Sequence, residues 1–186
     1  MDIPKDISIN DLLLDFSPNM AKKMIAESGA AAELAGTELS MVVDVSGTKY
    51  SYVVKNGTDF DVKQGDLDKA MVLITIAEGD LKKMIETNSL DMLLGIQSDL
   101  NKRKYQALQG LKGKMVAQLT NDDGSVVTIS TVLNGAETPS ATFKMKMTDS
   151  IALVKKETNP VNLFMSGGMQ IEGDMAFAMQ TQPLFT

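Results

Sequence analysis

The stretch that decides the fold is FMSGGMQIEGDMAFAM, residues 164–179, near the end of the chain. Its residues 166–168 are turn formers, and the alternation of apolar and polar residues over 169–172 predicts a short strand. Gly173 ends that strand. Asp174 is placed to cap a helix, because its carboxylate can accept a hydrogen bond from the first free N–H groups. The stretch therefore predicts a turn, a strand and a short helix in close succession.

The predicted final helix is apolar on more than one side. Met175, Ala178 and Met179 fall on one face at helical spacing, and Phe177 points away from them. A helix with two apolar sides is expected to be buried on both. The tail over 183–185 is also apolar.

Upstream, two-residue periodicity alternates with helical periodicity. The segments that predict strands are 41–45, 50–54, 60–62, 71–76, 115–119, 126–133 and 141–147. The segments that predict helices are 20–29, 80–85, 90–94, 100–108, 149–157 and 161–165. These segments suit helix–β-meander–helix elements.

Composition excludes several function classes. The 186 residues include no Cys and no His, so no disulfide scaffold, thiolate nucleophile or His-containing triad can form. A formal net charge of −6 disfavours binding to nucleic-acid phosphates. The sequence also lacks a phosphate loop, a dinucleotide fingerprint and a serine nucleophile elbow. We therefore predict no nucleic-acid partner, no cofactor and no metal. We also predict no enzymatic activity, because no motif points to one; missing motifs do not exclude a carboxylate- or lysine-based enzyme, and an enzyme that handles acyl-CoA is kept as the third alternative.

The sequence predicts a cytoplasmic location. The start MDIPKD lacks the basic and then apolar order of a signal peptide. No apolar run approaches the ~18 residues that a membrane span requires. Membrane contact is therefore expected to be transient at most, and the oligomeric state is left open.

Residues 164–179 resemble the end of sterol carrier protein 2 (SCP2)-type lipid-binding domains, which carry a similar F-x-x-G run that leads to a G-(Asn/Asp)-M-x-x-A-M helix. Upstream, residues 141–149 resemble that family's strand and helix cap, and residues 159–164 resemble its N-P-x-x-x-F stretch. The likeness covers residues 113–182 well and the N-terminal half more weakly. Two departures are Gly168, where the family usually has lysine, and a short connection between Gly135 and Ala141.

The resemblance implies an SCP2-like α+β fold: a twisted, mainly antiparallel sheet of about five strands with helices packed on one face. It also implies an apolar tunnel between sheet and helices that the last helix closes. Such proteins bind fatty acyl chains, acyl-CoA, sterols or isoprenoid quinones without chemistry.

The order of predicted helices and strands in the first half of the chain is similar to that in the second half. We predict a degenerate SCP2-like helix and β-meander half over 1–100, and an SCP2-like half with the terminal strand and lid helix over 101–186. A true internal duplication and a single compact domain built from both halves are both left open.

Candidate ligand-binding residues follow from methionine and phenylalanine in the C-terminal half, since methionine is flexible and suits surfaces that accept many ligand shapes. The predicted tunnel residues are Phe143, Met145, Met147, Leu163, Phe164, Met169, Ile171, Met175, Ala178 and Met179. The alternative is that these side chains form an ordinary core and that the apolar tail docks on a protein partner. We expect a lipid carrier whose last helix and tail swing aside at Gly167, Gly168 and Gly173.

Overall fold

The computed structural model describes residues 3–98 and 100–185, and for residues 95–98 it describes the backbone only. Residues 1, 2, 99 and 186, at the ends of the two predicted halves, lie outside the described residues. The strands are β1 (Glu38–Val45), β2 (Thr48–Lys55), β3 (Asp59–Gln64), β4 (Val72–Ile76), β5 (Gly113–Thr120), β6 (Val126–Leu133), β7 (Ser140–Lys146) and β8 (Met169–Gly173).

The helices precede and follow these strands. They are α1 (Ile9–Asp11), a π-helical stretch (Leu12–Phe16), α2 (Ser17–Ser28), α3 (Glu78–Glu86), α4 (Asp91–Ser98), α5 (Lys102–Gly110), α6 (Met147–Val154), α7 (Pro160–Met165), α8 (Met175–Gln180) and a terminal 3-10 turn (Gln182–Leu184). The α+β class is confirmed. Asn159 and Asp174 cap α7 and α8 through their side chains, and the second of these caps was predicted from sequence.

The expected sheet of about five strands is wrong, because the described strands form one sheet of eight in the order β3-β2-β1-β4-β6-β5-β7-β8. The two halves join edge to edge, since β4 pairs antiparallel with β6 from Val72–Leu133 to Ile76–Ile129. Each half therefore supplies an edge strand that the other half covers. The mainly antiparallel character is confirmed, and the parallel pairs are β1 with β4 and β5 with β7.

The two halves also repeat one order of elements. In each, a helix leads into a hairpin, and a later strand returns parallel to the hairpin's first strand. Between β2 and β4 the first half has β3, whereas residues 134–139 in the second half form no strand, as the short connection before Ala141 indicated. Shared topology is compatible with duplication, which stays a prediction.

One face of the sheet carries the core. Residues paired across strands share a face, and the row through Val43, Ile74 and Met115 runs inward across both halves. These inward side chains form one buried cluster with residues of the helices, so helices cover this face.

In the first half of this core, aromatic side chains of β2 pack against helices. Tyr50 and Tyr52 project from β2 toward the N-terminal helical segment, whose Leu12 and Leu13 are fully buried. The Tyr52 hydroxyl donates a 2.6 Å hydrogen bond to the Leu13 carbonyl, and that of Tyr50 donates to Asn10 Oδ1. Two aromatic rings therefore fill the space between sheet and helices here.

Candidate functional site

A cavity of about 240 Å³ lies between the sheet and the helices of the second half. Its floor is made by inward side chains of five strands: Ile74 from β4, Met115 and Ala117 from β5, Ile129 and Thr131 from β6, Phe143 and Met145 from β7, and Met169 and Ile171 from β8. The floor thus reaches across the junction of the halves, because Ile74 belongs to the first.

Four helices and the C-terminal tail complete the walls. They contribute Met92 and Leu93 from α4, Leu153 from α6, Pro160, Val161 and Phe164 from α7, Ala178 and Met179 from α8, and Thr181, Gln182 and Phe185 from the tail. The first half therefore supplies part of the wall through α4. It extends the sheet and closes the cavity on one side.

Short side chains on two neighbouring strands leave room above the cavity floor. They are Ala117 and Thr131, next to flexible Met115. In the first half, the larger side chains of Tyr50 and Tyr52 are part of the buried core. A protein interior is otherwise packed as densely as an organic crystal, so a gap of this size is a distinct feature.

The cavity reaches the surface between α7 and α8. Val161, Phe164 and Met179 line it and are also 37%, 45% and 52% exposed. Met165, further along α7, is 80% exposed and does not line the cavity. We call Val161, Phe164 and Met179 the rim.

The lining is apolar and uncharged. Among the described lining residues only Thr131, Thr181 and Gln182 have polar side chains, and none is ionisable. Lys82 and Lys83 pair with Glu78 and Asp123 at the surface. A polar ligand head would therefore gain no charge partner inside the cavity.

Seven of the ten predicted tunnel residues line the cavity: Phe143, Met145, Phe164, Met169, Ile171, Ala178 and Met179. The other three lie elsewhere. Met147 and Leu163 are buried in the surrounding core, and Met175 is 42% exposed on α8. The binding role of all ten stays a prediction.

Helix α8 is anchored by the residue that sequence reasoning placed on its other side. Phe177 is 2% exposed and packs against Gly113 at the start of β5. The Asp174 N–H also donates to the Ser140 carbonyl at 2.8 Å. The last helix is thus fixed at its N-terminus and centre, while Met179 reaches the rim.

Sequence reasoning missed 13 of the 20 described lining residues: three in the first half, three in the tail and seven elsewhere in the second half. Ile74, Met92 and Leu93 looked like ordinary core at strand or helix spacing, and nothing in their local pattern distinguishes them. Phe185 was predicted to move with the last helix as part of the lid or, in the alternative, to dock on a partner; it lines the cavity. Its place next to the final helix was the available signal.

The described part of the chain contains no group of three or more Asp and Glu side chains that could hold a metal ion. No helix in it is long and apolar enough to cross a membrane.

These features define an α+β protein with an uncharged apolar cavity between one face of a mixed sheet and its helices. Residues 94–186, half of the chain, match the model of the SCP-2 sterol transfer family. The chain therefore belongs to the SCP-2 sterol transfer family. The match includes the helices and strands that form most of the cavity.

Solved structures give a weaker likeness. Sterol carrier protein 2 from Yarrowia lipolytica, in its apo form, is 20% identical over 42% of this chain and 76% of that chain, with a TM-score of 0.35. The sterol carrier protein domain 2 of Helicoverpa armigera is 20% identical over 54% of this chain and 84% of that chain, with a TM-score of 0.39. A structure titled UbiJ-SCP2 ubiquinone synthesis protein is 11% identical over 96% of this chain and 93% of that chain, with a TM-score of 0.31.

No curated protein is found to match the chain. All three TM-scores are low, so the assignment to the family rests on the match of residues 94–186.

Proposed function

We propose that this protein binds and carries lipids, without catalysis, in the cavity of its second half. The observation that carries the proposal is an uncharged, apolar space that reaches the surface through exposed apolar side chains. Membership of the SCP-2 sterol transfer family supports it. The ligand class is a fatty acyl chain, an acyl-CoA, or a sterol-like or isoprenoid lipid.

Cavity size limits how much of a lipid is enclosed. At about 30 Å³ for each water-sized group, 240 Å³ holds on the order of eight such groups. Burying roughly eight methylenes contributes about 6 kcal/mol before the cost of ordering the chain and restricting the ligand. About 6 kcal/mol corresponds to a Kd of roughly 40 μM before those costs, so the enclosed methylenes alone bind weakly. Micromolar affinity requires the remainder of a longer lipid to make further contacts past the rim.

The ligand enters most readily at the rim, where side chains can rotate. A swing of the whole of α8 would withdraw Phe177, which is 2% exposed, from the core. Rotation of Phe164 and Met179 would widen the opening and leave the backbone in place, because long side chains change rotamers on a far shorter timescale than helices move.

The test compares a variant that fills the cavity with one that adds the same bulk outside it. Ala117→Phe places a ring on the cavity floor, and Ala176→Phe places one on the exposed side of α8. Delipidated protein is titrated with a fluorescent fatty acid, and thermal unfolding checks that each variant folds. We expect saturable binding by the wild type and by Ala176→Phe, and at least a tenfold loss in Ala117→Phe.

The competing function is an interaction module of the same fold with a filled core. It predicts no saturable binding by any folded form, together with a protein partner. Native mass spectrometry of the freshly purified protein adds an independent readout, because a carried lipid would appear as a discrete added mass. A cytoplasmic location stays a prediction.

A further inference from the structure

Among its described residues, the cavity floor contains one polar side chain, that of Thr131. Within the fully described strands β4 to β7, the inward side chains are apolar or absent at every position except Thr131. Thr131 lies in β6 with Ile74 beside it on β4 and Met115 beside it on β5, in the middle of the sheet. A threonine here is not needed for strand formation, since valine has the same shape and a similar preference for strands.

The other polar side chains of the lining already have partners. The Thr181 hydroxyl donates a 2.7 Å hydrogen bond to the Ala178 carbonyl, and Gln182 also forms a polar interaction. Within residues 3–98 and 100–185, no side-chain hydrogen bond is formed by Thr131. Thr131 is half-buried and lines the apolar cavity. A partner supplied by a ligand would remove the cost of leaving its hydroxyl unpaired beside apolar groups.

We propose that Thr131 is the hydrogen-bonding point for a neutral oxygen at the buried end of the lipid, such as a hydroxyl or a carbonyl. This inference rests on the proposed lipid-binding function and narrows its ligand class. A threonine hydroxyl both donates and accepts, so it serves either kind of oxygen. A carboxylate or a phosphate would be left without a cation in this lining, so charged heads remain at the rim.

The expected magnitude follows from one hydrogen bond. A single neutral hydrogen bond is worth roughly a fivefold change in affinity, and the loss falls only on ligands that carry the oxygen. A ligand without oxygen makes only apolar contacts, which Thr131→Val preserves because valine keeps the shape of threonine.

The probes are octan-1-ol and nonane, which have equal numbers of heavy atoms and match the size of the cavity. Binding of each to the full-length protein is measured by headspace gas chromatography. The variants are Thr131→Val, which removes the hydroxyl, and Thr131→Ser, which retains it. Thr128→Val is the matched control, because Thr128 lies in the same strand on the exposed face. Thermal unfolding checks that every variant folds.

We expect Thr131→Val to bind octan-1-ol about fivefold more weakly and to bind nonane as the wild type does. Thr131→Ser and Thr128→Val should retain the affinity for octan-1-ol. Unchanged octan-1-ol binding by Thr131→Val, or an equal loss for both probes, would overturn the inference while leaving the proposed lipid binding intact. Failure of the wild type to bind either probe would overturn both.

Discussion

Gly113 and Phe177 are in direct contact, and their contact fixes the last helix to the sheet. A Cβ atom at position 113 would lie 2.6 Å from two carbons of the Phe177 ring and 2.6 Å from the Pro139 carbonyl oxygen. The backbone of Gly113 also has φ of +146°, which side chains rarely allow. Glycine at this position therefore permits both the strand start and the seating of α8.

Gly113→Ala is expected to destabilise the protein by about 2–4 kcal/mol, as backbone strain adds to displacement of the Phe177 ring. Urea unfolding measures the change in the free energy of unfolding. Gly124→Ala is the control, because Gly124 has φ of +82° in a turn with no atom within 4 Å of its Cβ position. It should lose only about 1 kcal/mol. Equal losses for the two variants would contradict the role assigned to this contact.

Tyr52→Phe is expected to cost about 1–2 kcal/mol, because it leaves the buried Leu13 carbonyl without its hydrogen bond. The loss falls on the N-terminal helical segment, which this bond ties to β2. Tyr105→Phe is the matched control: the Tyr105 hydroxyl bonds Glu38 at 3.4 Å in an exposed setting. We expect it to change stability by less than about 0.5 kcal/mol. Urea unfolding of both variants measures the difference.

The same tyrosine predicts a loss of stability in alkali. Burial, with a smaller effect from nearby Tyr50, raises the pKa of Tyr52 above its ordinary value. The unfolded chain therefore releases this proton first, so the stabilisation is complete below about pH 10 and is lost as pH rises further. Unfolding followed between pH 8 and 11 should show a steeper loss for the wild type than for Tyr52→Phe. Parallel curves would contradict this assignment.

The number of strands was predicted correctly by local alternation and wrongly by the family resemblance. Local alternation predicts eight strand segments, and all eight are present. The figure of about five came from the family resemblance, which treats one family unit as the whole sheet. It failed because the pairing of β4 with β6 joins two meanders, and pairing between halves leaves no mark in local periodicity.

The residues that line the cavity were predicted less well than the strands, also because local periodicity carries no information on contacts between distant segments. Part of the space comes from a short side chain, Ala117, between Ile129 and Phe143 on the neighbouring strands. Periodicity assigns a face to each side chain, but it does not tell how much space remains in front of that face. Met175 was predicted to line the cavity because it shares a helical face with Ala178 and Met179 and matches the family motif; it is 42% exposed and is not among the lining residues.

The pairing of β4 with β6 leads to a prediction about the two predicted halves. A fragment of residues 101–186 would expose the edge of β6 that β4 covers. It would also lose Ile74, Met92 and Leu93 from the cavity wall. An uncovered edge beside an apolar face favours aggregation. We therefore expect the isolated fragment to be unfolded or aggregated by circular dichroism and size-exclusion chromatography.

Co-expression of residues 1–100 with residues 101–186 provides the control, because it restores the missing strand without a covalent connection. We expect the two pieces to elute together and to recover cooperative unfolding and binding of the fluorescent fatty acid. A monomeric 101–186 fragment that unfolds cooperatively and binds the probe alone would show instead that the second half is an independent domain. In that case α4 and β4 would be dispensable for the cavity, and the shared sheet would serve stability only.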